Sequence, residues 1–476
     1  MDRYIGGISV LIYNIMTPNP KTFFMNSRTL HVLIASIMAV FIGSCQTGPG
    51  LKVAYFQADA TPPIGSPVAY VLARSITDSL SARGIVLTGA GAPIVIATVD
   101  WITLSNEGLE FFSEKLAKAA GTTPDRVTIH VIHQHDAPRC DFSTEKLMEE
   151  NGLGGTRHNN AYLRRVIDET TLALTRAMEN LQPVSHIATG KAEVEKVASN
   201  RRILGEDGKV KIVRPSSTRD SASIAAPEGL IDPWLKSVSF WSGDKPLVTL
   251  SYYATHPQSY YGKGDVTAEF IGMARKARET KTGTPQVFFI GAAGNVAAGK
   301  YNDGSEQMRP VLAARIEKAM EQAWNTAEKR ETPSEVVWKN KIVQLPPAAF
   351  MKEDSLLDVL KDSVSFTADE RFGAARKIAW LRHQQKGAGI NISALHLGKT
   401  RLLHLPSEIF VEYQLNAQKM FPGEEICTAG YGEGGQGYIG TEISYTEGGY
   451  ETLPRVSSVA PQSESILLSV IREVLK

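Results

Sequence analysis

The chain has almost no cysteine. Of 476 residues only Cys45, Cys140 and Cys427 carry thiols, too few for a disulfide scaffold or a thiolate zinc site. Cys140 and Cys427 could pair in an oxidising compartment, but two isolated cysteines read as ordinary free thiols. An excess charge of either sign is also missing. Fifty-one basic residues face fifty acidic ones, a formal net charge of +1, with no basic block and no aromatic-rich basic stripe, which excludes nucleic acid as the expected partner. There is no internal repeat and no low-complexity tract, and nothing in the sequence fixes an oligomeric state.

A membrane-spanning run is lacking too. The apolar stretch at residues 30–43 is too short to cross a bilayer but fits the central region of a secretory signal. It ends in Ile42-Gly43-Ser44-Cys45, which looks like a bacterial lipobox, cut before a cysteine that then receives diacylglycerol. Residues 1–44 are therefore expected to be a signal peptide, with residues 1–24 an over-called start because Met25 begins a normal-length leader. Residues 45–476 would be the mature chain, an exported cell-envelope lipoprotein anchored only through Cys45, with periplasmic and surface-facing placements left open.

What the mature chain does contain is an alternation of strand and helix signals. Residues 53 onward, 80–86, 93–98 and 126–131 read as strands, and 107–120 and 160–181 as helices. Residues 187–197 read as a strand pair and 204–228 as a surface excursion. Residues 238–241 and 247–253 flank the turn Ser242-Gly243-Asp244-Lys245. Further on come a helix at 271–279, a strand at 286–290, the glycine turn Gly291-Ala292-Ala293-Gly294-Asn295, a helix at 309–327, a strand at 337–345, a mostly helical stretch at 356–384 and a hairpin at 392–405. The pattern predicts an α/β fold, a mixed-sheet core with flanking helices in one large domain. Any boundary lies near residues 331–333, without independent folding on its two sides.

Strand ends carry the chemistry-bearing residues. His133-Gln134-His135-Asp136-Ala137-Pro138 follows one strand, Thr255-His256-Pro257 a second and Pro406-Ser407-Glu408 a third, while the run from Gly432 to Gly437 leads to Tyr438. Loops at one edge of an α/β sheet surround a common crevice. Two imidazoles and a carboxylate there make a familiar zinc set with open positions. Taken singly, His256 is equally a satisfied loop histidine, Glu408 a cap on the following helix, Tyr438 a core residue and Arg201 a surface cation beside Arg202. The glycine turn lacks the lysine of a phosphate-binding loop, so it implies no nucleotide.

Taken in order, these motifs, with Asn200-Arg201, Ile231-Asp232-Pro233 and Tyr438-Ile439-Gly440-Thr441 through Gly449-Tyr450-Glu451, resemble the neutral (alkaline, non-lysosomal) ceramidase family over residues 53–451. The resemblance implies a zinc (Zn2+) amidohydrolase of small-molecule or lipid substrates. His133, His256, Glu408 and Tyr438 match its metal ligands, His135 its second active-site histidine, and Arg201 and Tyr450 the groups that contact the scissile amide. The chain also departs from the family. Gln134, Asp136 and Ala137 alter the first motif, Glu269 replaces an aspartate, and Ala297 stands where the family has a serine implicated in cleavage. The family's C-terminal immunoglobulin-like domain is not expected here. A zinc-activated water would then be the nucleophile, acting on an amide or ester. The competing reading is a surface lipoprotein that binds a ligand without catalysis. A phosphoesterase would need a second metal and more clustered carboxylates than the sequence offers.

Overall fold

The computed structural model describes residues 50–476; the signal segment and Cys45 lie outside the described residues. Three mixed sheets form the interior. The first has the order Val127–Val131, Ile94–Val99, Ser81–Thr88, Lys52–Asp59 and Gln182–Pro183. The second runs Gln286–Ile290, Lys245–Tyr253, Trp234–Ser242, His186–Glu193 and Glu328–Glu331. The third runs Val336–Val343, Ile390–Leu397, Thr400–His404 and Glu425–Ala429.

Each sheet contains one parallel pair among antiparallel neighbours: Ile94–Val99 with Val127–Val131, Lys245–Tyr253 with Gln286–Ile290, and Thr400–His404 with Glu425–Ala429. A parallel pair needs a crossover. The helices Asn106–Ala120, Glu269–Thr282 and Val411–Met420 supply the three in turn. The result is three βαβ units, and the C-terminal ends of their strands deliver the motifs that carry His133, His256 and Glu408, the glycine turn at 291–295 and the run that leads to Tyr438.

Alternation along the strands explains the packing. In Ile94–Val99 the side chains of Ile94 and Ile96 join one cluster, where Val238, Phe240, Val248 and Phe289 of the second sheet meet Leu395, Leu402 and Cys427 of the third. Val95, Ala97 and Val99 face the other way, onto Phe112 and Leu116 of the Asn106–Ala120 helix and Leu163 and Ile167 of the Asn160–Met178 helix. A strand buried on both faces reads as an unbroken apolar run, as residues 93–98 do. Because the shared cluster includes Trp338, Leu395 and Leu402, the core continues across residues 331–333. Cys140 and Cys427 are both buried and free. No described helix is long and apolar enough to cross a membrane.

Three stretches differ from the sequence reading. Residues 187–197 hold one strand, His186–Glu193, flanked by Trp234–Ser242 and Glu328–Glu331, so no position remains for a second strand beside it. The 204–228 excursion carries structure of its own, a hairpin of Arg202–Leu204 with Val210–Val213 and the short helix Ser221–Ala225. The helical stretch at 356–384 is two helices, Glu353–Lys361 and Ala368–Gln385. Between them the Asp362 carboxylate accepts from the amides of Val364 and Ser365, and Thr367 opens a capping box with Glu370.

A buried ion pair joins the first two sheets. Asp100, at the end of Ile94–Val99, accepts from Arg275 of the Glu269–Thr282 helix at 2.6 and 2.9 Å, and Ser81 donates to it through amide and hydroxyl at 2.8 Å. Burial alone would raise the Asp100 carboxyl, but Arg275 outweighs it and holds the group below the ordinary carboxylate range. Its contribution is thus present above that range and lost as pH falls through it. Replacing Asp100 with Asn should cost about 3–5 kcal/mol, because Arg275 is left buried and uncompensated. Urea unfolding as a function of pH checks this: the variant should be less stable at neutral pH and show the shallower decline on the acid side.

Candidate metal centre

His133 leaves the Val127–Val131 strand with φ at +69°, a conformation in which a non-glycine residue is uncommon. Its amide donates to Trp101 O at 2.9 Å, and its ring Nδ1 lies 2.6 Å from Ile102 O. His256 follows Lys245–Tyr253. Its amide donates to Val296 O at 2.9 Å, and its Nδ1 lies 2.8 Å from Ala293 O and 3.0 Å from Val296 O. A carbonyl oxygen can only accept, so each Nδ1 carries the proton and each Nε2 presents a lone pair.

Both lone pairs point at one oxygen. Glu408 Oε2 lies 3.3 Å from His133 Nε2 and 3.1 Å from His256 Nε2. Glu408 does not cap the following helix, which begins at Val411 behind Phe410. It pairs instead with Tyr438 in a short parallel ladder, and the Tyr438 hydroxyl lies 3.3 Å from His256 Nε2. Burial lowers His256 toward the neutral ring, against the opposing pull of the Glu408 carboxylate. Two lone pairs and a carboxylate oxygen thus converge in one buried space. The ligand atoms of His133, His256 and Glu408 lie within 4.8 Å of one another, and the set fits a divalent ion.

Arg201 is buried, which removes the surface-cation alternative. Its Nη1 donates to the Tyr438 hydroxyl at 3.1 Å, and its guanidinium lies 5.2 Å from the Tyr450 ring. The fully buried Glu451 sits 3.1 Å from Arg201 Nε, an ion contact too oblique for a hydrogen bond, and 3.3 Å from Arg202 Nη1. His135 stands beside the cluster, 5.3 Å from the His133 ring, with Nδ1 2.6 Å from the Tyr70 hydroxyl. Burial, then the neighbouring His133 and His256, keep it well below its usual pKa. Ala297 is buried, pairs with Ser199 and bridges to the His256 backbone. The position therefore borders the site with no hydroxyl to offer.

No protein-family model and no curated protein matches the chain. Solved structures do. A crystal structure of neutral ceramidase from Pseudomonas aeruginosa superposes with a TM-score of 0.66 at 16% identity, covering 89% of this chain and 74% of that one. A ceramidase complexed with C2 gives 0.66 at 15% identity, with the same coverage. The fold is that of the neutral ceramidases.

Within that fold the structure gathers His133, His135, His256, Glu408, Tyr438, Arg201 and Tyr450 around one cavity and its floor; Cys45 lies outside the described residues. Several neighbours were not legible in the sequence. Tyr431 lies 4.8 Å from the His133 ring, with its hydroxyl 3.2 Å from His256 Nδ1; Tyr70 comes from a loop that no motif marks, and the motif that ends in Glu451 gives that residue no role. Tyr431 and Ser407 also have positive φ, at +59° and +51°, so three of the site's wall residues hold strained backbone, the kind stored at functional sites. The glycine turn has a structural task. A Cβ on Gly294 would lie 2.2 Å from Glu408 O, so only glycine lets the two loops meet. Gly294→Ala should displace Glu408 and weaken affinity for a divalent ion about 10–100-fold, as loss of a supporting contact does elsewhere. Chelator-competition titration of the folded variant measures it, and wild-type affinity would show that this close approach does not position the carboxylate.

Proposed function

We propose that the chain is a zinc-dependent hydrolase that cleaves an amide or ester bond in a small-molecule or lipid substrate. The observation that carries this is the surplus of lone pairs at His133, His256 and Glu408, which a divalent ion would satisfy. His133, His256, Glu408 and Tyr438 would hold the ion. Zinc, when bound, supplies Lewis acidity: it brings the pKa of a water to about 7 and polarises a carbonyl.

The remaining work falls to the chain's own side chains. Arg201, held by Glu451 and already donating to the Tyr438 hydroxyl, stands with Tyr450 where an oxyanion would develop, and a preorganised donor there strengthens as charge builds. His135, kept neutral at rest by burial, hydrogen-bonds the Tyr70 hydroxyl through Nδ1, and in the tautomer with its proton on Nδ1 the lone pair of Nε2 is left free. That nitrogen takes a proton from the attacking water and returns it to the departing amine or alcohol. With Ala297 at the serine position, water is the nucleophile.

A ligand-binding protein without turnover is the second reading, and Ala297 favours it. His135 separates the two, since binding needs no proton carrier. His256→Ala should lose stoichiometric zinc, whereas His135→Ala should keep it and lose about 10²–10⁴-fold in turnover on a panel of N-acyl and ester substrates that includes ceramide. Metal analysis beside the hydrolysis assay reads both. Wild-type protein that takes up no zinc after incubation would overturn the enzyme, and zinc-loaded protein that cleaves nothing would leave the binder.

The N-terminal sequence supports export and lipid anchoring at Cys45. Mass spectrometry of membrane-fraction protein should find a diacylated Cys45 as the first residue, and an unmodified N-terminus elsewhere would remove the anchor.

A further inference from the structure

The cavity that opens onto His133 and Glu408 has a volume of about 190 Å³. Two arginines, Arg139 and Arg376, stand in its wall, and among its described lining residues Glu408 is the only acid. That carboxylate is engaged by the two histidines. Arg139 gives one N–H to the carbonyl of Ala69 and lies 5.6 Å from the Phe372 ring; Arg376 lies 5.9 Å from the same ring. Arg157 shares this ring at 5.6 Å but has a carboxylate of its own, Asp369. Neither Arg139 nor Arg376 has an acidic partner within ion-pair distance among the described residues.

Two guanidiniums that share one aromatic ring and have no carboxylate within ion-pair distance repel each other. Burial and Arg376 pull Arg139 down to about 10, and burial and Arg376 pull the adjacent Lys377 down to about 8. Arg139 and Lys377 stay cationic at neutral pH. A neutral alkyl chain would gain nothing from such a wall, and only three aliphatic side chains, Ile102, Val131 and Val456, line the cavity. An oxyanion placed near both guanidiniums would offset their repulsion and engage N–H groups that have no side-chain acceptor among the described residues, in the geometry arginine favours for carboxylate and phosphate.

Resting on the hydrolase reading of the same site, we infer that Arg139 and Arg376 form an anion subsite, and that the substrate is an amide or ester carrying a carboxylate or phosphate close to the bond that is cut. The two arginines select the substrate by its charge. They are specificity residues and take no part in moving the proton.

Matched probes test this through binding, independently of turnover. Zinc-loaded protein would be titrated with N-acetylglycine against N-acetylglycinamide, and with N-acetyl-O-phosphoethanolamine against N-acetylethanolamine. Wild type should favour the charged member of at least one pair by about tenfold or more. Arg376→Gln should abolish that preference with zinc content unchanged, and Arg139→Gln should do the same if the loss of its bond to Ala69 leaves the fold intact; a melting curve checks this. The pair that shows the preference identifies carboxylate or phosphate. Equal affinity within both pairs overturns the subsite, as does failure of both anions to bind. A preference that survives in Arg376→Gln overturns it too, since the metal or Arg201 would then be reading the charge. Hydrolysis of the same probes is scored separately: a charge preference without cleavage of any probe keeps the subsite and removes the hydrolase.

Discussion

The carbonyl oxygens of Ile102, Ala293 and Val296 accept Nδ1–H from His133 and His256, and this fixes the tautomer of both rings before any ligand arrives. Each Nε2 must then present a lone pair, and both meet the Glu408 carboxylate within 3.3 Å. An arrangement of this kind is unfavourable in a buried space unless a cation enters it. Much of the surrounding structure can be understood as holding that arrangement in place. Positive φ at His133, Ser407 and Tyr431 costs of order 1–3 kcal/mol at each, and it persists because neighbouring loops pin these residues from several sides.

The pinning comes from backbone contacts between the three βαβ units. The Val131 amide donates to Tyr431 O across the first and third units, Gly430 N to Ile290 O across the third and second, and Gly294 N to Ile409 O in return. Such bonds require main chains to touch, and glycines are found where they do: a Cβ on Gly430 would lie 2.8 Å from Gly291 O, and one on Gly294 closer still to Glu408 O. Side-chain identity matters little to this lacing. That accounts for a fold that superposes on solved ceramidases over 89% of the chain while identity stands at 16%.

The same distinction explains what could be read in the sequence. Strands buried on two faces leave apolar runs, and the ligands sit directly at their ends, so His133, His256 and Glu408 were visible as strand-end residues. The parallel pairing that makes those ends converge was not, because the run at residues 247–253 looks the same whether its neighbour runs parallel or antiparallel. The strand pair expected at residues 187–197 failed for a related reason: both edges of His186–Glu193 are taken by segments distant in sequence, Trp234–Ser242 and Glu328–Glu331. Tyr431 and Tyr70 gave no signal, since a tyrosine in a loop has no periodicity, and Glu451 appeared only as the last residue of a motif. Arg201 carried a signal only as part of a motif. Its burial against Glu451 depends on a residue 250 positions later in the chain.

The metal set and the substrate wall are therefore under different constraints. His133, His256 and Glu408 lie beside sheet strands whose ladders cross the whole molecule, and moving one would disturb backbone contacts in two other units. Arg139 and Arg376 belong to a two-residue strand at Arg139–Cys140 and to the helix Ala368–Gln385, neither of which takes part in the three sheets. Their side chains can change with no more than local repacking around Phe372. Ala297 differs in kind: it lies within the lacing, next to His256, but only a hydroxyl separates serine from alanine, and the backbone does not register the difference. Fold likeness thus speaks to the backbone that carries these residues and not to what the cavity binds. The arginines of the cavity wall are where the chain's own chemistry bears on that question, and their charge is positive.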